Sequence, residues 1–169
     1  ISKCRLTDVR KTADMRSVLS RNSSFHSKMS AASGINIQDE VIEKYKQLQT
    51  KKDLGFVIFK ISDDNKDVVN DCDGPADCPF EEFTEKLPPK DCRYAVVDVK
   101  YDLGDSGKRQ KICFIVWCPE EAPIKKKMIY ASTKDSLKKK LTGLSAEYQA
   151  DCFGDMKYSE ILDKVKKAK

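Results

Sequence analysis

The chain has 169 residues, a length that suits one domain of ordinary size. Its hydrophobic content of 40% supplies a single core, and its charged content of 35% requires a heavily ionised surface. No apolar run approaches the roughly 18 residues of a membrane span, and the basic N-terminus has no apolar stretch to serve as a secretory signal.

The net charge of +5 is uneven. Residues 1–28 hold seven Lys/Arg and two Asp, which leaves 25 basic and 25 acidic residues in 29–169. A near-neutral folded part carries no bulk basic balance toward nucleic acid, so its charges are read as local patches. Seven cysteines without a CxxC pair read as reduced thiols in a reducing compartment. Zinc would need closer spacings and histidine partners, and the only histidine is His26. The same lack of a histidine in the patterned region removes Ser-His-Asp and Cys-His catalysis, so a thiol enzyme is rejected.

Residues 1–28 are Arg/Ser-rich with no apolar period. They are expected to be a disordered tail or a non-native leader, with an organelle transit peptide as the alternative. The native protein is expected to begin at Met29. Val41, Ile42, Tyr45 and Leu48 have helical spacing and predict an amphipathic helix over Gln38–Thr50. Phe56–Ile61 reads as a buried strand. The acidic stretch Asp63–Asp77 is expected to hold a short strand at Val68-Val69 and then a loop. Pro79 and Phe80 open a short helix that stops at Pro88-Pro89. Arg93–Tyr101 alternates as a strand, Gly104–Gly107 is a turn, and Ile112–Trp117 completes a hairpin.

A long helix is predicted over Ile124–Leu141, closed by Gly143. A short strand follows at Glu147–Ala150 and a last helix at Tyr158–Lys167. This order predicts an α/β domain with a central mixed sheet flanked by helices on both faces. Gly104 and Gly107 are too close for a phosphate loop, and Asp71–Gly74 lacks the first and last ligands of a calcium loop.

On a wheel of about 100° per residue, Ile129, Tyr130, Thr133, Leu137 and Leu141 form one arc of the long helix, a core face. Lys127, Lys134 and Lys138 form a second arc, with Ile124 and Met128 beside it. That arc is either a solvated basic face or a protein interface for an acidic partner. The same lysines suit acidic phospholipid headgroups. Two further basic clusters are Lys108-Arg109-x-Lys111 and the end of the last helix.

The run Trp117-Cys118-Pro119-Glu120-Glu121-Ala122-Pro123-Ile124-Lys125-Lys126-Lys127-Met128-Ile129-Tyr130-Ala131-Ser132-Thr133-Lys134-Asp135 resembles the signature of the ADF/cofilin family. Asp91-Cys92-Arg93-Tyr94-Ala95 and Ser33-Gly34-Ile35 resemble two more of its motifs, and the similarity covers about residues 29–169. The resemblance implies a single ADF-homology domain that binds actin monomers and filaments, severs and depolymerises filaments, and is not an enzyme. It implies no cofactor, a monomeric state, and a cytoplasmic, cytoskeletal location.

Carried over by motif, Ser33, Gly34, Lys125, Lys127, Met128, Lys134, Asp135, Lys138 and Lys139 are expected to contact actin in monomer and filament. Arg109, Lys111, Asp163, Lys164 and Lys167 are expected to contact a second subunit in the filament only. Ser33 is the expected inhibitory phosphorylation site, with Ser30 as a rival because Met29–Gly34 is longer than the family's usual start. Further implied partners are ADP-actin in preference and phosphatidylinositol bisphosphate. The alternatives are a non-severing, coactosin-like filament binder and a phosphoinositide-binding membrane adaptor. Vertebrate members carry a basic nuclear-import insert after the first helix; here Thr50-Lys51-Lys52-Asp53 runs straight into the strand.

Overall fold

A computed structural model describes residues 34–102 and 107–168. The expected leader 1–28, Ser30, Ser33 and the expected turn residues Gly104, Asp105 and Ser106 lie outside the described residues. The elements are β1 (Asn36–Ile37), α1 (Asp39–Lys46), β2 (Leu54–Ile61), β3 (Asp67–Pro75), α2 (Phe80–Glu85), β4 (Arg93–Asp102), β5 (Lys108–Trp117), α3 (Ile124–Lys140), β6 (Ala146–Ala150) and α4 (Tyr158–Lys167). The strands form one six-stranded sheet in the order β1-β3-β2-β4-β5-β6. The outer pairs β1·β3 and β5·β6 are parallel and the inner pairs antiparallel, so the sheet is mixed as expected.

Strand alternation sends side chains to two separate cores. On one face, Val57, Phe59, Tyr94, Val96, Phe114 and Val116 meet Val41, Tyr45 and Leu48 from the first helix and Tyr130, Leu137 and Leu141 from the α3 region. On the other, Phe56, Ile58, Ala95, Val97, Cys113, Ile115 and Trp117 meet Phe83 and Leu87 from the α2 region and Ile161 and Val165 from α4. The inner strands are therefore buried on both sides, which is why they read as continuous apolar runs rather than as alternating ones.

Three boundaries differ from the sequence reading. The first helix is α-helical only to Lys46 and continues as a π turn, Gln47–Lys51, before Lys52 reverses the chain at φ 57°. The strand expected at Val68-Val69 runs on to Pro75. Its pattern is interrupted because Ile58 pairs with Cys72 while Phe59 pairs with Asn70, leaving Asp71 as an extra residue. That bulge flips the inward face, so Val68 packs in the first core and Cys72 against the second. The second hairpin strand starts at Lys108 rather than Ile112.

Gly74 is needed opposite Phe56, since a Cβ there would lie 2.2 Å from the Phe56 ring. After α3, Gly143 turns the chain at φ +92°, where an L side chain is strained. The carbonyl of the preceding Thr142 accepts hydrogen bonds from Tyr45 Oη (2.8 Å) and Gln49 Nε2 (3.0 Å). The first helix thus fixes where α3 ends.

Candidate functional site

Helix α3 carries apolar residues on two opposed sides. Its inner side is anchored by Tyr130, Thr133 and Leu137, all buried. The Tyr130 hydroxyl accepts the Ile61 amide at 2.9 Å, and the Tyr130 carbonyl accepts the Tyr94 hydroxyl at 2.5 Å. Burial raises the pKa of both phenols, so they stay protonated and available as donors. On the outer side, Ile124 and Met128 are 76% and 67% exposed, the two most exposed large apolar side chains among the described residues. They lie one above the other at i and i+4, and the ridge continues through the exposed Ala131, Ser132, Asp135 and Lys139.

The first turn of α3 contains Lys125, Lys126 and Lys127 and no acidic residue. Positive charge at a helix N-terminus opposes the macrodipole and lowers helix stability. Lys126 is relieved by Asp91 at 2.9 Å, and Lys127 Nζ donates to the Glu120 carbonyl at 3.1 Å. Lys125 is exposed and makes no ion pair with a described residue. A local arrangement that costs helix stability, beside exposed apolar side chains, is the mark of a surface shaped for something other than folding.

The basic arc predicted from Lys127, Lys134 and Lys138 exists, but it does not stand free. Lys134 pairs with Glu147 of β6 at 2.8 Å, and Lys138 pairs with the other oxygen of the same carboxylate. These bonds tie the helix to the edge strand. Partial burial pushes the Glu147 carboxyl up, but the two lysine donors outweigh it and hold the group below its ordinary value. The Lys134 ammonium is raised in turn, chiefly by its hydrogen bond to Glu147.

A depressed native pKa means that the unfolded chain binds the proton more readily. Glu147 therefore adds stability above its ordinary value of 4.5 and loses it as pH falls through the lower native value. Urea midpoints measured from pH 6 down to pH 3 are expected to fall less steeply for Glu147→Gln than for the original chain. Parallel curves would mean that the pair is too well solvated to matter.

The remaining expected residues are placed by the topology. Strand β5 ends at Trp117 beside the start of α3, and β1 begins beside Asp67, at the same end of the sheet. Gly34, just before β1, lies at that end, exposed and at φ +72°. The β4–β5 hairpin tip lies at the opposite end. There Lys108 and Arg109 are exposed and pair with Asp102 and Tyr101 across the hairpin.

Lys111 is half-buried. Its ammonium donates to the carbonyls of Val165 (3.1 Å) and Ala168 (2.5 Å), so it caps the end of α4 and joins hairpin to helix. Asp163, Lys164 and Lys167 are exposed on the same helix. Gly34 and the first turn of α3 thus share one end of the sheet, and the hairpin tip and the end of α4 lie at the other. Helix α3 runs from the first toward the second, so that Lys138 and Lys139 stand away from Gly34.

Sequence reasoning missed Glu147 and Asp91 as counter-ions, because ion pairs between distant segments leave no periodic signal. It also placed Ile124 beside the lysine arc without naming it as a contact, although it is the most exposed large apolar residue described. Among the described residues no group of His, Cys, Asp and Glu could hold a metal ion, and no helix is long and apolar enough to cross a membrane.

Comparison with known proteins agrees with this architecture. The family model of cofilin/tropomyosin-type actin-binding proteins matches residues 34–166. Cofilin of Mycosarcoma maydis is 39% identical over 137 residues, covering 81% of this chain and 98% of the relative. Actophorin of Acanthamoeba castellanii is 40% identical over 135 residues, covering 80% and 97%. The crystal structure of Streptomyces griseoflavus cofilin superposes with a TM-score of 0.73 at 34% identity, covering 80% of this chain and 100% of that one. A coactosin from Entamoeba histolytica, 24% identical with a TM-score of 0.70, shares the fold. The chain belongs to the ADF/cofilin family of actin-binding proteins.

Proposed function

We propose that this chain binds actin monomers and filaments and promotes severing and disassembly of filaments, as a binding protein without catalytic chemistry. The observation that carries this reading is the exposed pair Ile124 and Met128 on a helix whose opposite side is fully packed. Exposed apolar side chains ringed by charge are what a protein interface needs: a desolvated centre and a polar rim.

In this reading the outer ridge of α3, Lys125, Lys127, Asp135 and Lys139 with Gly34 and Ser33, contacts actin in both monomer and filament. Lys134 and Lys138 hold the helix in place through Glu147 and reach the partner only at the edge of the contact. The hairpin tip and the end of α4, with Arg109, Asp163, Lys164 and Lys167, grip a neighbouring subunit. A ligand that spans two subunits shifts the filament only by its differential affinity for one twist. Boundaries between decorated and bare stretches then break. Preference for ADP-actin, a monomeric state and a cytoplasmic, cytoskeletal location belong to the same proposal.

The test is sedimentation with filaments combined with imaging of their length. Binding with shortening supports severing. Binding without shortening identifies a stabilising filament binder, and failure to bind removes the reading. Within the same assay, Lys108→Ala with Arg109→Ala is expected to weaken filament binding about tenfold while monomer binding holds. Lys111→Ala acts differently, because it uncaps α4; it is expected to lower thermal stability as well. Equal loss of monomer and filament binding in the Lys108/Arg109 variant would contradict two separate surfaces.

Ser33 is the proposed phosphorylation site, since about two negative charges would be added one residue before Gly34, which lies at the same end of the sheet as Lys125–Lys127. Ser33→Glu is expected to bind monomeric actin at least fivefold more weakly than Ser33→Ala. Equal affinities would move the switch to Ser30 or remove it. Acidic inositol headgroups are the second proposed ligand of Lys125–Lys127, where the lysines and the helix N-terminus both favour an anion. Vesicles carrying such lipids should then compete with actin.

A further inference from the structure

Beneath the start of α3 lie two thiols that the actin reading does not use. Cys92 immediately precedes β4 and Cys118 immediately follows β5. The register pairs Arg93 with Trp117 and Tyr94 with Val116, so the next pair outward is Cys92 opposite Cys118. Tyr94 and Val116 both point into the first core, and the period of two sends both cysteines to that same face. Cys92 is wholly buried there and Cys118 packs against the same cluster. Directly opposed residues on antiparallel strands have Cα atoms about 4.5–5.5 Å apart, within the span a disulfide bridges.

The two thiols perturb each other's ionisation in opposite directions. The Cys92 thiol beside it holds the Cys118 thiol below its usual value, although burial and the Asp151 carboxylate oppose this; Lys127 adds a smaller stabilisation of the thiolate. Cys92 is driven the other way by Cys118 and by burial. Cys118 is also the reachable partner. It is half-buried and lines an open cleft of about 370 Å³ with Glu120, Lys127, Ala131, Lys134 and Asp151. The other described thiols lack this combination. Burial raises Cys113 to about 12, and Cys78 is pushed up to about 11 by desolvation and Glu82.

We infer that Cys92 and Cys118 form a redox site, with Cys118 the attacking thiol and Cys92 the resolving one, which a hydroperoxide closes into a cross-strand disulfide. The Cys118 thiolate attacks one peroxide oxygen, the O–O bond breaks, and the leaving oxygen takes up a proton as water or alcohol. Cys118 is then a sulfenic acid. The Cys92 sulfur attacks the Cys118 sulfur, the S–O bond breaks, and the departing hydroxide takes the Cys92 proton as water. The dithiol loses two electrons and the peroxide gains them. The bridge ties the connection into α3 to β4, at the root of the helix that bears Ile124 and Met128. The inference rests on the β4–β5 register and is independent of what α3 binds.

The test treats the reduced full-length chain with hydrogen peroxide, alkylates it in denaturant and maps the unreduced peptides by mass spectrometry. The expected result is a Cys92–Cys118 linked peptide, two hydrogens lighter than its parts, in most of the chains and lost on reduction with dithiothreitol. Cys118→Ser should abolish it and leave Cys92 fully alkylated. Cys118 found as sulfinic acid beside an alkylated Cys92, or bridged instead to the exposed Cys152, would overturn the assignment.

Discussion

Truncating Ile124 and Met128 to alanine is expected to weaken actin binding at least thirtyfold while leaving the fold as stable as before. Each side chain loses roughly 2 kcal/mol of apolar burial if it is covered by a partner, and about 1.4 kcal/mol is tenfold in affinity. The cost falls only in the complex, because both side chains are already mostly in water in the free chain, at 76% and 67% exposure. Substitutions of such residues usually change stability by less than about 0.5 kcal/mol. Affinity for labelled monomeric actin and a thermal melt on the same samples separate the two effects. Unchanged affinity would make this ridge ordinary surface and would move the contact elsewhere.

The second large effect is predicted on the same helix with the opposite sign of consequence. Leu137→Ala is expected to destabilise the domain by about 2–5 kcal/mol, the range for a buried leucine that leaves a cavity. Leu137 has no exposed surface and packs in the cluster that joins α3 to the sheet. For a chain of this size, that corresponds to a fall in melting temperature of roughly 6–15 °C. At a temperature where the variant is still folded, its affinity for actin should change far less than that of the Ile124/Met128 pair. A melt within 2 °C of the original, an allowance set on the same scaling, would show that α3 is not held by this side.

The contrast between these two substitutions also explains what could be seen in the sequence. The inward arc read for the long helix, Ile129, Tyr130, Thr133, Leu137 and Leu141, has a helical period; the last four are buried and Ile129 is partly buried against the same core. The hairpin was legible because Arg93–Tyr101 and Ile112–Trp117 are apolar runs flanking a Gly-rich turn. The strand β3 was legible only in part. Its bulge at Asp71 breaks the period of two, and the residues around it are acidic because they serve an ion-pair network rather than a core. Asp71 meets Arg93 at 2.8 Å and Lys60 at 3.3 Å. Six aspartates between Asp63 and Asp77 read as a loop; the fold carries three of them, Asp67, Asp71 and Asp73, on a strand.

The candidate site was legible in a different way. Met128 and the lysine arc could be set apart from the core by the wheel alone, and the family signature then gave them a role. Long-range electrostatics could not be read in this manner. Nothing in the local sequence indicates that Glu147 neutralises Lys134 and Lys138, or that Lys111 donates two hydrogen bonds to the end of α4. These partners come from strand order, which places β6 beside β5 and α4 across the hairpin. They divide the basic residues into those that fasten the fold and those that stay exposed with no ion pair to a described residue, among them Lys125, Lys139, Arg109, Lys164 and Lys167.

The most direct measurement is an electron-microscopy map of actin filaments decorated with the full chain. The account predicts that Ile124 and Met128 are covered by one actin subunit, and that Arg109 and the end of α4 touch its neighbour. A map in which α3 faces solvent, or in which both regions sit on one subunit, would contradict it.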